Sequence, residues 1–215
     1  MAKYNEFDPF RRRYLAGAEI VGAEGYPKIL PTQSLPKNVI SFNESGNGRD
    51  TSNNWIDHFI ADSLFERVYS NCDRYIERYK CALGVIGTDY SAYRNMYKWQ
   101  RKNSIGKNRS IDYYLQQHGI DVIPTVSWAY PEDFEWCLDG LPKHASVAVS
   151  TNGCMNNYLS REVFIEGVRM VQKLLKPSHL IICGRIIPDE LRSFDNIYTY
   201  ENFSQRMYRR IKNGQ

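Results

Sequence analysis

Two carboxylates in this chain each sit just past a short apolar run. Val39-Ile40-Ser41-Phe42 leads into Asn43 and Glu44, and Leu83–Ile86 leads through Gly87-Thr88 into Asp89. Two carboxylates a few ångströms apart can divide acid and base roles, because each charge raises the other's pKa. On consecutive strands, Glu44 and Asp89 are the candidate catalytic pair. Ser91 adjoins Asp89, and Lys107, Asn108 and Arg109 are candidate ligand contacts, the two cations for phosphate. Further apolar runs end in Ser127-Trp128 and in Ser150-Thr151-Asn152-Gly153. Trp128 offers a face for a base or sugar ring. Backbone N–H groups of a Ser150-Thr151-Asn152 turn can meet an anion. Gly184, Arg185, Glu201 and Asn202 complete a polar ring. Each feature has a plainer reading: Asp89 as a helix cap, Trp128 as a lid on the core, the turn as an ordinary turn.

Other chemistries lack the spacing they need. Cys72, Cys81, Cys137, Cys154 and Cys183 are an odd set without C-x-x-C, which excludes a disulfide framework and a zinc motif. Cys154 alone, in a polar turn, is placed for a thiol nucleophile. His58, His118, His144 and His179 show no paired ligand spacing. G-x-S-x-G, G-x-G-x-x-G and Walker signatures are absent. No metal and no cofactor are expected.

The elements that must position these residues read as alternating strands and helices. Strands are predicted at 39–42, 83–86, 122–126, 147–150, 180–183 and 196–200. Helices are predicted at about 54–79 with a break near Ser70–Asp73, at 93–118 with an interruption at Asn103–Asn108, at 131–138, at 160–175 and from 201 to Lys212. Strands that read as continuous Val/Ile/Leu runs belong to sheets covered on both faces. The expectation is an α/β fold of repeated β-α units with a parallel sheet, incomplete or compact and TIM-barrel-like; the alternative is an open doubly wound sheet. Residues 1–37 form an irregular N-terminal arm punctuated by Pro9, Pro27, Pro31 and Pro36, and 38–215 a single α/β domain with a basic C-terminal helix.

Composition bounds the class. The chain has 215 residues, 42% hydrophobic and 24% charged, as in globular proteins, so a disordered, fibrous or coiled-coil chain is excluded. No apolar run approaches the roughly 20 residues of a membrane span, and the N terminus has no signal-peptide core, so a cytoplasmic location and no membrane partner are expected. Net charge is +4, mildly basic, yet cations cluster at Arg11–Arg13, at Lys98–Arg109 and at Arg206–Lys212. Such clusters either are solvated surface or meet phosphate.

A resemblance adds context. Leu35–Phe42, His58-Phe59 with Asp62, Phe65–Val68, Thr88-Asp89-Tyr90-Ser91 with Tyr93, Gly119–Trp128, Phe134 with Cys137–Gly140, Val149–Thr151, and Lys176–Ser178 with Gly184 together resemble the family of domain of unknown function 4417. The likeness runs from about residue 30 to 185. The family pattern has P-D-F-S at 88–91 and R-N-R at 107–109, so Asp89, Ser91, Asn108 and Arg109 match it. Thr88, Tyr90 and Lys107 depart from it, and Lys107 lacks the fork of an arginine. The resemblance implies a bacteriophage, plasmid or mobile-element context in a bacterial cell and no particular reaction. A second likeness, of the strand series alone, is to the barrel of tRNA-guanine transglycosylases, without their zinc-binding cysteines. Two readings follow: a protein that binds or processes a nucleotide or nucleic acid at the strand C-terminal face, or a non-enzymatic protein that binds a host factor or joins the virion. The arm is also a candidate homo-oligomer contact.

Overall fold

The computed structural model describes residues 8, 10–46, 48–155, 157–184 and 188–213. Arg185, assigned above to the polar ring, lies outside them. A two-stranded antiparallel ladder in the arm, β1 (Ile20–Val21) with β2 (Tyr26–Pro27), precedes seven parallel strands. These are β3 (Val39–Ser41), β4 (Trp55–Asp57), β5 (Gly84–Ile86), β6 (Val122–Ile123), β7 (Ser146–Ser150), β8 (His179–Cys183) and β9 (Ile197–Tyr200). β3-β4-β5-β6 and β7-β8-β9 are continuous parallel ladders, and a parallel bridge between Thr125 and Ala148 joins them. Spatial order follows chain order, without the reversal of a doubly wound sheet.

The sheet curls. Strands lie about 4.8 Å apart, so the ends of β4 and β7, three positions apart, would be roughly 14 Å apart in a flat sheet. Instead, Asn152 past β7 donates its side-chain amide to the Phe59 carbonyl past β4 at 3.0 Å. At the outer edges, the Tyr200 hydroxyl of β9 donates to the Pro36 carbonyl just before β3. No backbone ladder joins β9 to β3 among the described residues.

Side-chain alternation sorts the core into layers. Val39, Trp55, Ile86, Ile123, Ala148, Ile181 and Tyr200, one from each parallel strand, share an inner cluster. Their neighbours Ile40, Ile56, Val85 and Val122 face the helices α1 (Glu66–Ser70), α2 (Ile76–Lys80) and α3 (Lys98–Gln117). Val147, Val149, Leu180 and Ile182 face α4 (Tyr158–Leu175), where Phe164, Val168, Val171 and Leu175 form the apolar stripe. α4 starts earlier than its apolar stripe suggested because Asn157 accepts from the Ser160 N–H as its cap, and it ends at Lys176 with φ 47°, before Pro177.

Two sequence-based assignments are corrected. The stretch at 54–79 is not one helix: Trp55–Asp57 is a strand between β3 and β5, and only α1, α2 and 3-10 turns follow. α3 is a single uninterrupted helix through Asn103–Asn108. Its Gly106 lets the Tyr26 ring approach, since a Cβ there would sit 3.4 Å from that ring. The arm lies on this helix: Tyr14 is fully buried, Tyr26 donates to the Lys102 carbonyl, and Leu30 exchanges hydrogen bonds with the Gln116 side chain.

After β9, α5 (Phe203–Lys212) crosses back over the ends of β3 and β4. Asn202 and Gln205 form its capping box. Arg206 donates to Ser41 Oγ at 2.6 Å and pairs with Asp57 at 3.2 Å and Glu44 at 3.3 Å. Asp57 is 1% exposed. Arg206→Ala strands this buried carboxylate without its cation, so it is expected to cost about 3–5 kcal/mol in denaturant unfolding. A loss below about 1 kcal/mol would show that α5 does not hold the sheet edges.

Candidate functional site

The loops past the carboxyl ends of β5, β6 and β7 enclose a cleft of about 170 Å³. Asp89, Ser91, Ser127, Trp128, Ser150, Asn152 and Cys154 line it, with Tyr93, Arg94 and, from α4, Ser160, Val163 and Phe164. Eight of the residues named from sequence thus meet in one place: Asp89, Ser91, Ser127, Trp128, Ser150, Asn152, Gly153 and Cys154.

Asp89 sits nine residues before Lys98, where α3 starts with Tyr97 as its cap residue, so it caps no helix there. Its carboxylate accepts a hydrogen bond from the Ser127 hydroxyl. Burial pushes its pKa up to about 7, opposed by the Ser127 bond and reinforced by the Asp62 carboxylate. Asp62 is itself fixed by the Ser91 hydroxyl at 2.9 Å and the Ser91 N–H at 3.2 Å. The carboxylate beside Asp89 is therefore Asp62. Glu44 is instead held by the Ser41 N–H, Arg206 and Arg210, and it does not line the cleft. Burial raises Glu44's pKa, but those donors outweigh it and lower the carboxyl below its usual value.

A second acid lies beneath the site. Asp112 of α3 is fully buried, and no side chain among the described residues donates to its carboxyl, which has only the Thr88 backbone close by. A Cβ on Gly87 would fall 2.3 Å from one of them, so only glycine fits at the end of β5. Burial pushes Asp112 up to about 7 against the pull of Arg109, and Asp89 adds to the rise.

Lys107, Asn108 and Arg109 do not face the cleft. Lys107 pairs with Glu66 at 3.0 Å, over the rings of Tyr69 and Tyr90. The Asn108 carbonyl oxygen accepts from the Tyr90 N–H at 2.9 Å. Arg109 is fully buried and donates to the carbonyls of Thr125, Cys137 and Asp139, so it braces β6 and the following loop and has no access to a phosphate. The rest of the basic segment is also paired: Arg101 with buried Asp133, Lys102 with Glu24, Lys98 with Glu135 at 3.9 Å.

The Ser150–Gly153 turn spends its amides internally. Thr151 N–H bonds the Cys183 carbonyl, Asn152 N–H bonds Ser150 Oγ, and Asn152 Oδ1 accepts from Asn202. Thr151 lies under Gly184, where a Cβ would collide with its hydroxyl at 1.9 Å. Trp128 uses its indole N–H on the Val163 carbonyl and stacks on Phe164, which leaves an apolar wall to the cleft. Burial pushes the Cys154 thiol up to about 11, so it stays protonated and is no thiolate nucleophile at neutral pH. Among the described residues no group of three or more His, Cys, Asp or Glu could hold a metal. No helix among them is long and apolar enough to cross a membrane.

Arg94 and Asp112 were absent from the residues singled out by sequence, and Asp62 was named only among those that carry the family resemblance. Arg94 lines the cleft beside the Tyr130 ring, 5.4 Å from its centroid, and has no carboxylate within ion-pair distance among the described residues. The one sequence signal for it is the acid-free run from Tyr90 to Ile111.

Taken together, fold and cleft define a parallel α/β protein with an acid-centred pocket at its strand ends. The family model described as domain of unknown function (DUF4417) matches residues 18–201, and the chain belongs to that family. It is similar to the Gene 1 protein of Mycobacterium phage D29, 25% identical over 190 residues, covering 87% of this chain and 70% of that one. The Gene 1 protein of Mycobacterium phage L5 is 29% identical over 162 residues, covering 74% and 71%. No solved structure matches.

The raised carboxyls fix the sign of a pH effect. Below about pH 4, Asp112 is protonated in folded and unfolded chains alike. Between about 4 and 7 only the folded chain holds the proton, so stability falls as pH rises through this window, by at most about 4 kcal/mol. Asp89 acts in the same direction. Denaturant unfolding at pH 5 and pH 8 should show the decline, and Asp112→Asn should flatten it. An Asp112→Asn profile parallel to the parent would refute the assignment.

Proposed function

We propose that the strand-end cleft binds a nucleotide and that Asp89 moves a proton on it. The observation that carries this reading is that Asp89, a carboxyl raised by burial to about 7, and the Arg94 cation line the same cleft. A group with a pKa near 7 serves as acid and base at neutral pH, because both forms are populated. Trp128 supplies an apolar wall for a ring, Ser127 orients the carboxyl, and Arg94 can meet a phosphate. Its similarity to phage Gene 1 proteins supports a protein that would work inside a bacterial cell. The rival reading, a binder of host proteins through the arm and basic tail, has less support. Tyr14 of the arm is buried within the chain, and Arg206 and Arg210 of the tail are paired within it.

Calorimetric titration with the four ribonucleoside monophosphates and their nucleosides tests this. At least one monophosphate should bind, and Asp89→Asn should weaken it tenfold or more without lowering the melting temperature. Arg94→Ala should reduce monophosphate affinity to that of the nucleoside, roughly a tenfold loss or more for a charge-assisted bond. Absence of binding by all four at millimolar concentration, or full binding by Asp89→Asn, would overturn the reading.

A further inference from the structure

Both chain segments that wall the cleft continue outward as exposed aromatics. On one side, Tyr93 lines the cleft and is 56% exposed, and Tyr97 and Trp99 beyond it are 74% and 68% exposed. On the other, Ser160 lines the cleft, and Tyr158 just before it is 77% exposed. Rings of this size are normally buried for their apolar area, and an exposed group of them marks a binding surface.

The stretches of chain that carry these rings contain cations and no acids. No Asp or Glu occurs from Tyr90 to Ile111 or from Gly140 to Arg161, the stretches that carry both sets of rings. Arg94 lies between Tyr93 and Tyr97, and Lys98 between Tyr97 and Trp99, its contact with Glu135 loose at 3.9 Å and open to solvent. Rings interleaved with cations along acid-free stretches of chain suit unpaired bases, whose faces stack while the cations meet the backbone.

We propose that this rim is a single-stranded nucleic-acid surface, on which the rings stack successive bases while the cleft receives one base turned out of the stack. The proposal rests on the reading of the cleft as a nucleotide site and names the form in which the nucleotide arrives. A duplex fits poorly. The five cations from Lys98 to Arg109 that would follow its phosphates are nearly all turned to partners within the chain. A base that enters such a pocket must first leave its stack, and aromatic neighbours compensate for that loss.

The test is fluorescence anisotropy with a labelled dodecanucleotide of mixed sequence, as single-stranded DNA, single-stranded RNA and duplex, beside calorimetry with the monophosphates. Single strands should bind more tightly than duplex. The Tyr97→Ala/Trp99→Ala double variant should lose roughly 100-fold in single-strand affinity, at about tenfold per ring. Its melting temperature and monophosphate affinity should match the parent, because both rings stand in solvent outside the cleft. Tyr158→Ala, on the opposite wall, should lose about tenfold by the same reasoning. The salt dependence should be shallow, with a slope of about −1 to −2 for two phosphate contacts on a single strand. Equal binding of duplex and single strand, or single-strand affinity unchanged in both ring variants, would overturn the proposal. So would loss of self-association or of vesicle binding as the sole effect of the ring variants. Monophosphate binding with no added affinity for the oligonucleotide sinks the rim and spares the cleft. Ring-dependent oligonucleotide binding that Asp89→Asn leaves intact spares the rim and sinks the cleft.

Discussion

A parallel sheet whose strands follow chain order has two edges, and something must hold them together if the strand ends are to converge. Here that something is the Arg206 guanidinium. It reaches from α5, directly after the last strand, to Ser41 and Asp57 on the first two parallel strands and to Glu44. A buried ion pair is weak evidence for stability by itself, since desolvation offsets much of the attraction. Its value lies in specificity: Ser41 and Asp57 are register partners, so the guanidinium fits one alignment of β3 and β4. With the edges held, the inner side chains of all seven strands face one another away from water. The loops at their carboxyl ends then meet closely enough for Asn152 to touch both Phe59 and Asn202.

That dependence on one arginine explains which parts of the fold were legible. Strands buried on both faces read as apolar runs, so β5, β7 and β8 were evident to within a residue of their ends. β4 was not, because three residues ending in an aspartate give no run, and Trp55 with Phe59 and Leu64 falls near helical spacing. Its carboxylate is admissible only because Arg206, 149 residues away, comes back to it. Similarly, Asn103–Asn108 looked like a helix break because Asn and Gly disfavour helices. The structure uses Asn108 to bind the Tyr90 backbone and Gly106 to admit the Tyr26 ring. Local propensity was overridden by partners distant in sequence.

The site was legible where the strand-end rule applies and obscure elsewhere. Asp89, Ser127, Trp128, Ser150 and Asn152 follow apolar runs, and the rule collects them. Asp62 lies in the stretch misread as helix. Asp112 is mid-helix, where a carboxylate ordinarily faces solvent, and only its close approach to Gly87 reveals the burial. The basic run misleads in the opposite direction. Composition cannot tell a solvated arginine from one whose donors are spent on carbonyls, and Arg109 is of the second kind.

Arg109 also acts on Asp112, the buried acid outside the cleft lining, without a hydrogen bond to it. It brings a positive charge beside Asp112, but its donors point to backbone carbonyls, so it offers Asp112 attraction and no hydrogen bond. The attraction of Arg109 and the nearby Thr88 backbone do not offset full burial of a carboxylate, and Asp112 is pushed up to about 7. When Asp112 does ionise, its charge and that of Asp89 oppose each other, so the two sites load protons in competition. Asp62, fixed by Ser91 at the cleft wall, adds a further negative field. Of Asp62, Asp89 and Asp112, only Asp89 lines the cleft, and Asp62 is the one that accepts from both a hydroxyl and an amide of Ser91. The raised carboxyl that a cleft ligand can reach is therefore Asp89, held by the Ser127 hydroxyl at the strand ends.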